Sequence, residues 1–232
     1  MKMVFLYYDN PKMLRMQIDC WNSYIGKLNN PPEVLLVDDG SPNTSAIDVV
    51  QKHACKISIK VFRIKEDISW NCSGARNLGC INATGWIYIS DIDMLLEKDA
   101  AKVFFESHRL NKKCFYIPQR ALFHNSKSLK RSFSCLLFHK EAYLATGGYD
   151  EDYAGYYGIE DYDFLKRLQQ KVSCVPRDDV LIKAVLPELV ADACTTGKQR
   201  YGNRNYKLFQ RKLAAGLRAP KNPLRFSWER VL

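Results

Sequence analysis

Three apolar runs in the N-terminal half each end on carboxylates. Met3–Tyr8 leads into Asp9, Glu33–Val37 into Asp38-Asp39, and Trp86–Ser90 into Asp91-Ile92-Asp93. Helix signals alternate with them: Pro11–Lys27 with a proline at its start, Ser45–His53, and Ser73–Ala83 with Ser73 as its N-cap, while Ile57–Ile64 alternates like a further strand. Strand and helix repeating at this spacing predict a largely parallel sheet flanked by helices. Such sheets bind ligands beyond the carboxyl ends of their strands, where these polar clusters fall. Unpaired carboxylates are costly to bury, so their recurrence there predicts a site edge with something cationic in it.

The second half is less regular. Helices are expected over Lys98–Arg109, Lys140–Thr146 (closed by Gly147-Gly148) and Glu160–Gln170, and strands over Cys114–Pro118 and Ser134–His139. At 232 residues the chain suits one good-sized core. No run has the length and apolarity of a membrane span, and the start reads as a strand rather than a signal peptide. Eight scattered cysteines without a C-x-x-C pair read as reduced, mostly buried thiols, which with the missing export signal predicts a cytoplasmic protein. The formal charge of +10 is localised: residues 197–232 carry ten Lys/Arg against Glu229 alone. A basic tail on a near-neutral domain predicts an anionic partner at that end. The expected division is therefore a domain over 1–196 and a basic, aromatic, helical extension over 197–232 packed on it.

Single motifs carry two readings each. Asp91-Ile92-Asp93 is either a solvated turn or a hard-oxygen site for Mg²⁺ or Mn²⁺. Arg76, in Ser73-Gly74-Ala75-Arg76-Asn77, is either a surface arginine or a planar donor fork for a phosphate. Glu160-Asp161 is either a helix-start acidic pair or a site for proton transfer.

Taken together, the motifs resemble family 2 glycosyltransferases. CSGARNLGCINATGWIYISDIDMLL resembles the central signature of that family, VLLVDDGSPNTS its second-strand motif and FLYYDNPKML its opening strand, with Leu6 where a proline is usual. ATGGYDEDYAGYYGIEDYDFLKRL resembles a block shared with galactosyltransferase-like relatives. The resemblance runs over about residues 3–170 and implies a single GT-A domain. It implies that Tyr8 and Asp38 hold the nucleobase with Asp39 toward the ribose, that Arg76 lies near the diphosphate, and that Asp91 faces the ribose or sugar. It further implies that Asp93 binds the metal, that Glu160 contacts sugar or acceptor, and that Asp161 is the catalytic base. Relatives often supply a third metal ligand as histidine; here the matching region has none, and Asp192 is the nearest oxygen candidate.

The function this implies is an inverting, Mn²⁺- or Mg²⁺-dependent transfer from a nucleotide sugar, UDP-sugar first, to a hydroxyl of a glycan or glycolipid. A modified base in DNA is the second acceptor. A sugar-nucleotide-binding protein without turnover, or a nucleotidyltransferase on a similar sheet, is the competing class. In the tail, Arg200, Arg204, Lys207, Arg211 and Lys212 are the expected contacts to a polyanionic or nucleic-acid acceptor or to an anionic membrane surface, which would make the protein peripheral there. The bland reading of the same segment is a helix over Asn205–Ala215 that packs Tyr206, Phe209 and Leu213 on the domain.

Overall fold

The computed structural model describes residues 1–107, 110–194, 203–221 and 223–232. In chain order the elements are β1 (Lys2–Tyr7), α1 (Pro11–Asn22), β2 (Glu33–Asp38), α2 (Ala46–Lys52), β3 (Ile59–Ile64), α3 (Cys72–Asn82) and β4 (Trp86–Ser90). There follow β5 (Met94–Leu95), α4 (Lys98–Phe105), β6 (Cys114–Leu122), β7 (Ser128–Leu129), β8 (Leu136–His139) and α5 (Lys140–Thr146). A 3-10 turn (Glu151–Tyr153), α6 (Glu160–Gln169), β9 (Ser173–Ala184), α7 (Asn203–Ala214) and β10 (Trp228–Arg230) complete the described chain.

All strands join one sheet in the order β10-β3-β2-β1-β4-β8-β6-β9-β5, with β7 on β6. The block β3-β2-β1-β4 is parallel, as the strand–helix alternation requires. Beyond β4 the pairing turns antiparallel at β8 and β6, and β6 pairs parallel with β9, so the sheet as a whole is mixed. Period-two alternation divides each central strand between two cores. Met3, Phe5 and Tyr7 of β1 with Val34 and Leu36 of β2 face a layer holding Met13, Leu14, Ile18 and Trp21 of α1. Val4, Leu35 and Val37 face the other layer with Leu78 of α3, Phe138 and Phe164. Burial on both faces is why these strands read as near-continuous apolar runs. Truncating one such side chain, Leu36 for example, is worth about 2–5 kcal/mol.

Several boundaries differ from expectation for identifiable reasons. Ser45, expected as the first residue of its helix, caps α2 instead, accepting from the Asp48 N–H. Ser73, by contrast, lies inside α3; Asn71 holds the cap position, and its side chain is directed to Asp39 instead. The helix expected over Lys98–Arg109 stops at Phe105, with Glu106 at its C-cap, and the last two expected positions lie outside the described residues. β9 escapes a periodicity search because Pro176 and Arg177-Asp178-Asp179 interrupt it, at a register shift against Pro118/Gln119. Among the described residues no helix is long and apolar enough to cross a membrane.

Candidate active site

The carboxyl ends of β1, β2 and β4 lie side by side, because β1 pairs with both of the others in register: Tyr7 opposes Asp38, and Phe5 opposes Ser90. α3 runs beneath this edge and is buried from Ser73 to Cys80. Its glycines permit the close approach. A Cβ at Gly79 would stand 2.4 Å from Val4, and one at Gly74 would stand 2.4 Å from Phe226.

This packing delivers Arg76, 2% exposed, to the strand ends. Its guanidinium donates to Asp91 at 2.8 Å and to Glu160 at 3.3 Å, and lies 2.6 Å from the Asp161 carboxylate. Of the strand-end carboxylates, Asp91 thus receives its cation from the chain itself. Arg76 also stands 5.4 Å over the Tyr149 ring. Three carboxylates around one guanidinium leave the cluster net negative. Burial, reinforced by Glu160 and Asp91, pushes the Asp161 carboxyl well above the usual range against the pull of Arg76. Removing one member of such a buried group costs about 3–5 kcal/mol. Glu160 is 4% exposed, with Oε2 unpartnered. Immediately before it Ile159 has φ 80°, a left-handed conformation that a β-branched residue rarely holds.

Asp93 is pushed up to about 7, by burial first and then by the charge of Asp91. Asp91 and Asp93 form an all-oxygen donor pair of the kind that holds Mn²⁺ or Mg²⁺ together with substrate phosphates and water. By chemistry they fit such an ion. No third ligand joins them: among the described residues no group of three or more His, Cys, Asp or Glu side chains gathers to hold a metal. Asp192 instead caps α1, its carboxylate accepting from the N–H groups of Lys12 and Met13 at 2.7 and 2.9 Å. A helix N-terminus competes well for a carboxylate.

At the nucleotide end, Asp38 is turned inward and its oxygens accept from the backbone of Ser41 and Ala46, so it shapes the loop rather than facing a nucleobase. Asp39 accepts from Asn71 at 3.1 Å and is pushed up to about 7 by burial. Tyr8 donates to Asp67 at 3.0 Å. Close by, the Trp70 and Tyr157 rings pack 4.6 Å apart at a tilt of 54°. Trp70 stands outside the motifs while Tyr157 lies within the ATGGYDEDYAGYYGIEDYDFLKRL block, and only the fold brings the two rings together.

The basic extension divides. Lys212 is bound by Asp150 and Asp152, at 2.5 and 2.7 Å, so it is not a free contact. Arg225 pairs with Asp152, and Glu151 accepts from the backbone of Leu224 and Arg225. The acidic block Asp150-Glu151-Asp152 thus receives the C-terminal segment. Arg204 stacks over Tyr156 at 4.4 Å and donates to the Asp152 carbonyl. Lys207 and Arg211 are exposed. Arg200 lies outside the described residues. On α7, Phe209 is buried as periodicity predicts, whereas Tyr206 and Leu213 are 52% and 46% exposed. A cavity of about 340 Å³ between Asp150, Lys212, Arg218, Lys221 and Arg225 includes no member of the Arg76 cluster.

The fold so described is the GT-A fold. The same fold is found in mannosyltransferase PcManGT from Pyrobaculum calidifontis in complex with GDP-Man and Mn²⁺ (TM-score 0.60, 14% identity, covering 93% of this chain and 62% of that one). It is also found in S. aureus TarS 1-349 in complex with UDP-GlcNAc (TM-score 0.62, 15% identity, 91% and 66% covered). A third example is GalNAc-T7 with UDP, GalNAc and Mn²⁺ (TM-score 0.63, 13% identity, 80% and 43% covered). The chain thus spans less than two thirds of the length of each. No curated protein matches it by sequence. The model of glycosyltransferase like family 2 matches residues 100–215, half of the chain, and the protein belongs to that family of enzymes.

Proposed function

We propose that the protein transfers a glycosyl group from a nucleotide sugar, UDP-linked first, to a hydroxyl of a glycan or glycolipid, with inversion at the anomeric carbon. The observation that carries this reading is the convergence of Asp91, Glu160 and Asp161 on Arg76 at the strand ends. In the proposed step the acceptor hydroxyl gives its proton to Asp161. The acceptor oxygen bonds to the anomeric carbon as the bond from that carbon to the diphosphate oxygen breaks. Its raised affinity for a proton suits Asp161 to this task. Glu160 would orient the sugar or acceptor, and Arg76 would fix both carboxylates while adding positive charge near the diphosphate. Asp91 and Asp93 would hold Mn²⁺ or Mg²⁺, which supplies charge neutralisation to the leaving diphosphate. With Asp38 engaged by backbone, the nucleotide contacts of that end would fall to Asp39 and Tyr8, and with Asp192 engaged at α1 the metal would be left to Asp91 and Asp93.

At the acceptor end the proposed contacts are Lys207 and Arg211, which make no ion pair among the described residues. The reading keeps residues 1–196 as the catalytic unit and 197–232 as an extension docked on it. The deciding experiment is a screen of nucleotide sugars for nucleotide release, with Mn²⁺ and with EDTA, in the presence and absence of glycan, glycolipid and DNA acceptors. Release from a UDP-sugar that needs both metal and a glycan or glycolipid supports the proposal. No release from any donor would favour a binding protein without turnover.

A further inference from the structure

We propose that Asn205 is a positioning residue for Asp161, acting through the loop that precedes α6. This rests on the reading of Asp161 as the base. Asn205 is 0% exposed on α7, more than forty positions beyond Asp161. Its Nδ2 donates to three backbone carbonyls of one loop: Tyr153 at 3.1 Å, Tyr156 at 2.9 Å and Gly158 at 3.0 Å. An amide carries two hydrogens, so they are shared among three acceptors that loop backbone would otherwise leave unpaired.

That loop needs such a tie. It contains three residues of positive φ, Gly155 (89°), Gly158 (84°) and Ile159 (80°), and it leads directly into Glu160 and Asp161. A non-glycine residue at positive φ costs on the order of 1–3 kcal/mol and persists only where its surroundings over-determine it. α7 supplies that surround. Besides the Asn205 amide, Phe209 and Leu208 of the same helix pack with Tyr153, Ile159 and Tyr162. A neighbouring tie is Trp70 against Tyr157, so the Trp70 ring senses where the loop lies. Without the amide the loop relaxes, Ile159 leaves its left-handed conformation, and the first turn of α6 swings Asp161 off its position beside Arg76.

The test is Asn205→Ala, with Leu28→Ala, a truncation in the core layer on the other face of the sheet, as a stability control and Asp161→Asn as a control on the base. Turnover is UDP release from the UDP-sugar selected by the donor screen, and binding is UDP calorimetry. Asn205→Ala is expected to lower kcat roughly 10- to 100-fold, the scale of an ångström's misplacement. UDP affinity should stay within about twofold. The Trp70 emission, isolated by difference from Trp70→Phe, should shift in Asn205→Ala. Leu28→Ala should lower Tm yet keep kcat below its transition. Should Asn205→Ala not fold, Asn205→Ser, smaller than the native residue and still polar, takes its place. Full kcat and unchanged Trp70 emission in a folded Asn205 variant, alongside an inactive Asp161→Asn, would overturn the positioning role and leave the base intact. Normal turnover in Asp161→Asn would remove the base itself, and the proposal with it.

Discussion

Asp161 and Asp39 are both carboxylates whose surroundings favour the proton, yet they invite different measurements. Replacing Asp161 by asparagine keeps the shape of the side chain and removes the acceptor for a proton. Transfer is expected to fall by about a hundredfold or more, with the donor still bound, as single-turnover kinetics and calorimetry would show. Asp39 bears on stability. Its folded-state value of about 7 lies above the ordinary 3.8, so the protonated form fits the fold and the charged form does not. The stability it contributes is complete below about pH 4 and is lost as pH rises through about 7, a difference of a few kcal/mol. Asp39→Asn, which can still accept from Asn71, should therefore melt higher than the parent at pH 8 and alike at pH 4. Equal melting temperatures across that range would contradict the burial argument.

At the scale of the element, α7 shows how a helix divides its labour. Asn205, Phe209 and, in part, Leu208 and Lys212 face the domain, while Lys207 and Arg211 point outward one turn apart. Lys212 is already bound by Asp150 and Asp152, which leaves the outer pair for an anionic acceptor. Reversing Lys207 and Arg211 to glutamate should weaken binding of such an acceptor and flatten its salt dependence, by about 0.9 in log–log slope for each duplex phosphate no longer neutralised. Titrations with single-stranded DNA, duplex DNA and anionic vesicles, each against salt, would check this. An unchanged slope for all three would mean that the outer face is merely solvated.

For the whole molecule, the C-terminal segment is part of the fold. β10 covers the edge of β3, Phe226 reaches Gly74 of α3, and Glu151 binds the backbone of Leu224 and Arg225. Ending the chain at 223 would expose the β3 edge to other chains. It would also strip packing from the helix that carries Arg76. A fall in Tm of roughly 5–10 °C is expected, at about 2–4 °C per kcal/mol for a chain this size. Calorimetry and light scattering on the shortened protein would measure both effects.

The parallel half of the sheet and the strand-end carboxylates were legible in the residues because they follow from local periodicity, whereas the division of the expected single core into two layers was not. An apolar run buried on both faces, stopped by polar residues, has few other solutions. Arg76, Asp91, Asp93, Glu160 and Asp161 could be named on the same basis, together with their resemblance to a known pattern. Which partners they find was not legible. Arg76 serving three carboxylates, Asp192 capping α1 and Lys212 claimed by Asp150 and Asp152 all join residues far apart in the chain, while Asp38 turns to the backbone of its own loop. β9 and β10 were hidden for a related reason, since an interrupted or exposed strand shows itself only through the neighbour it pairs with. Spacing along the chain determines which face of an element a residue occupies. Only the packed structure decides which opposite charge or backbone donor reaches it first, because that depends on how whole elements dock.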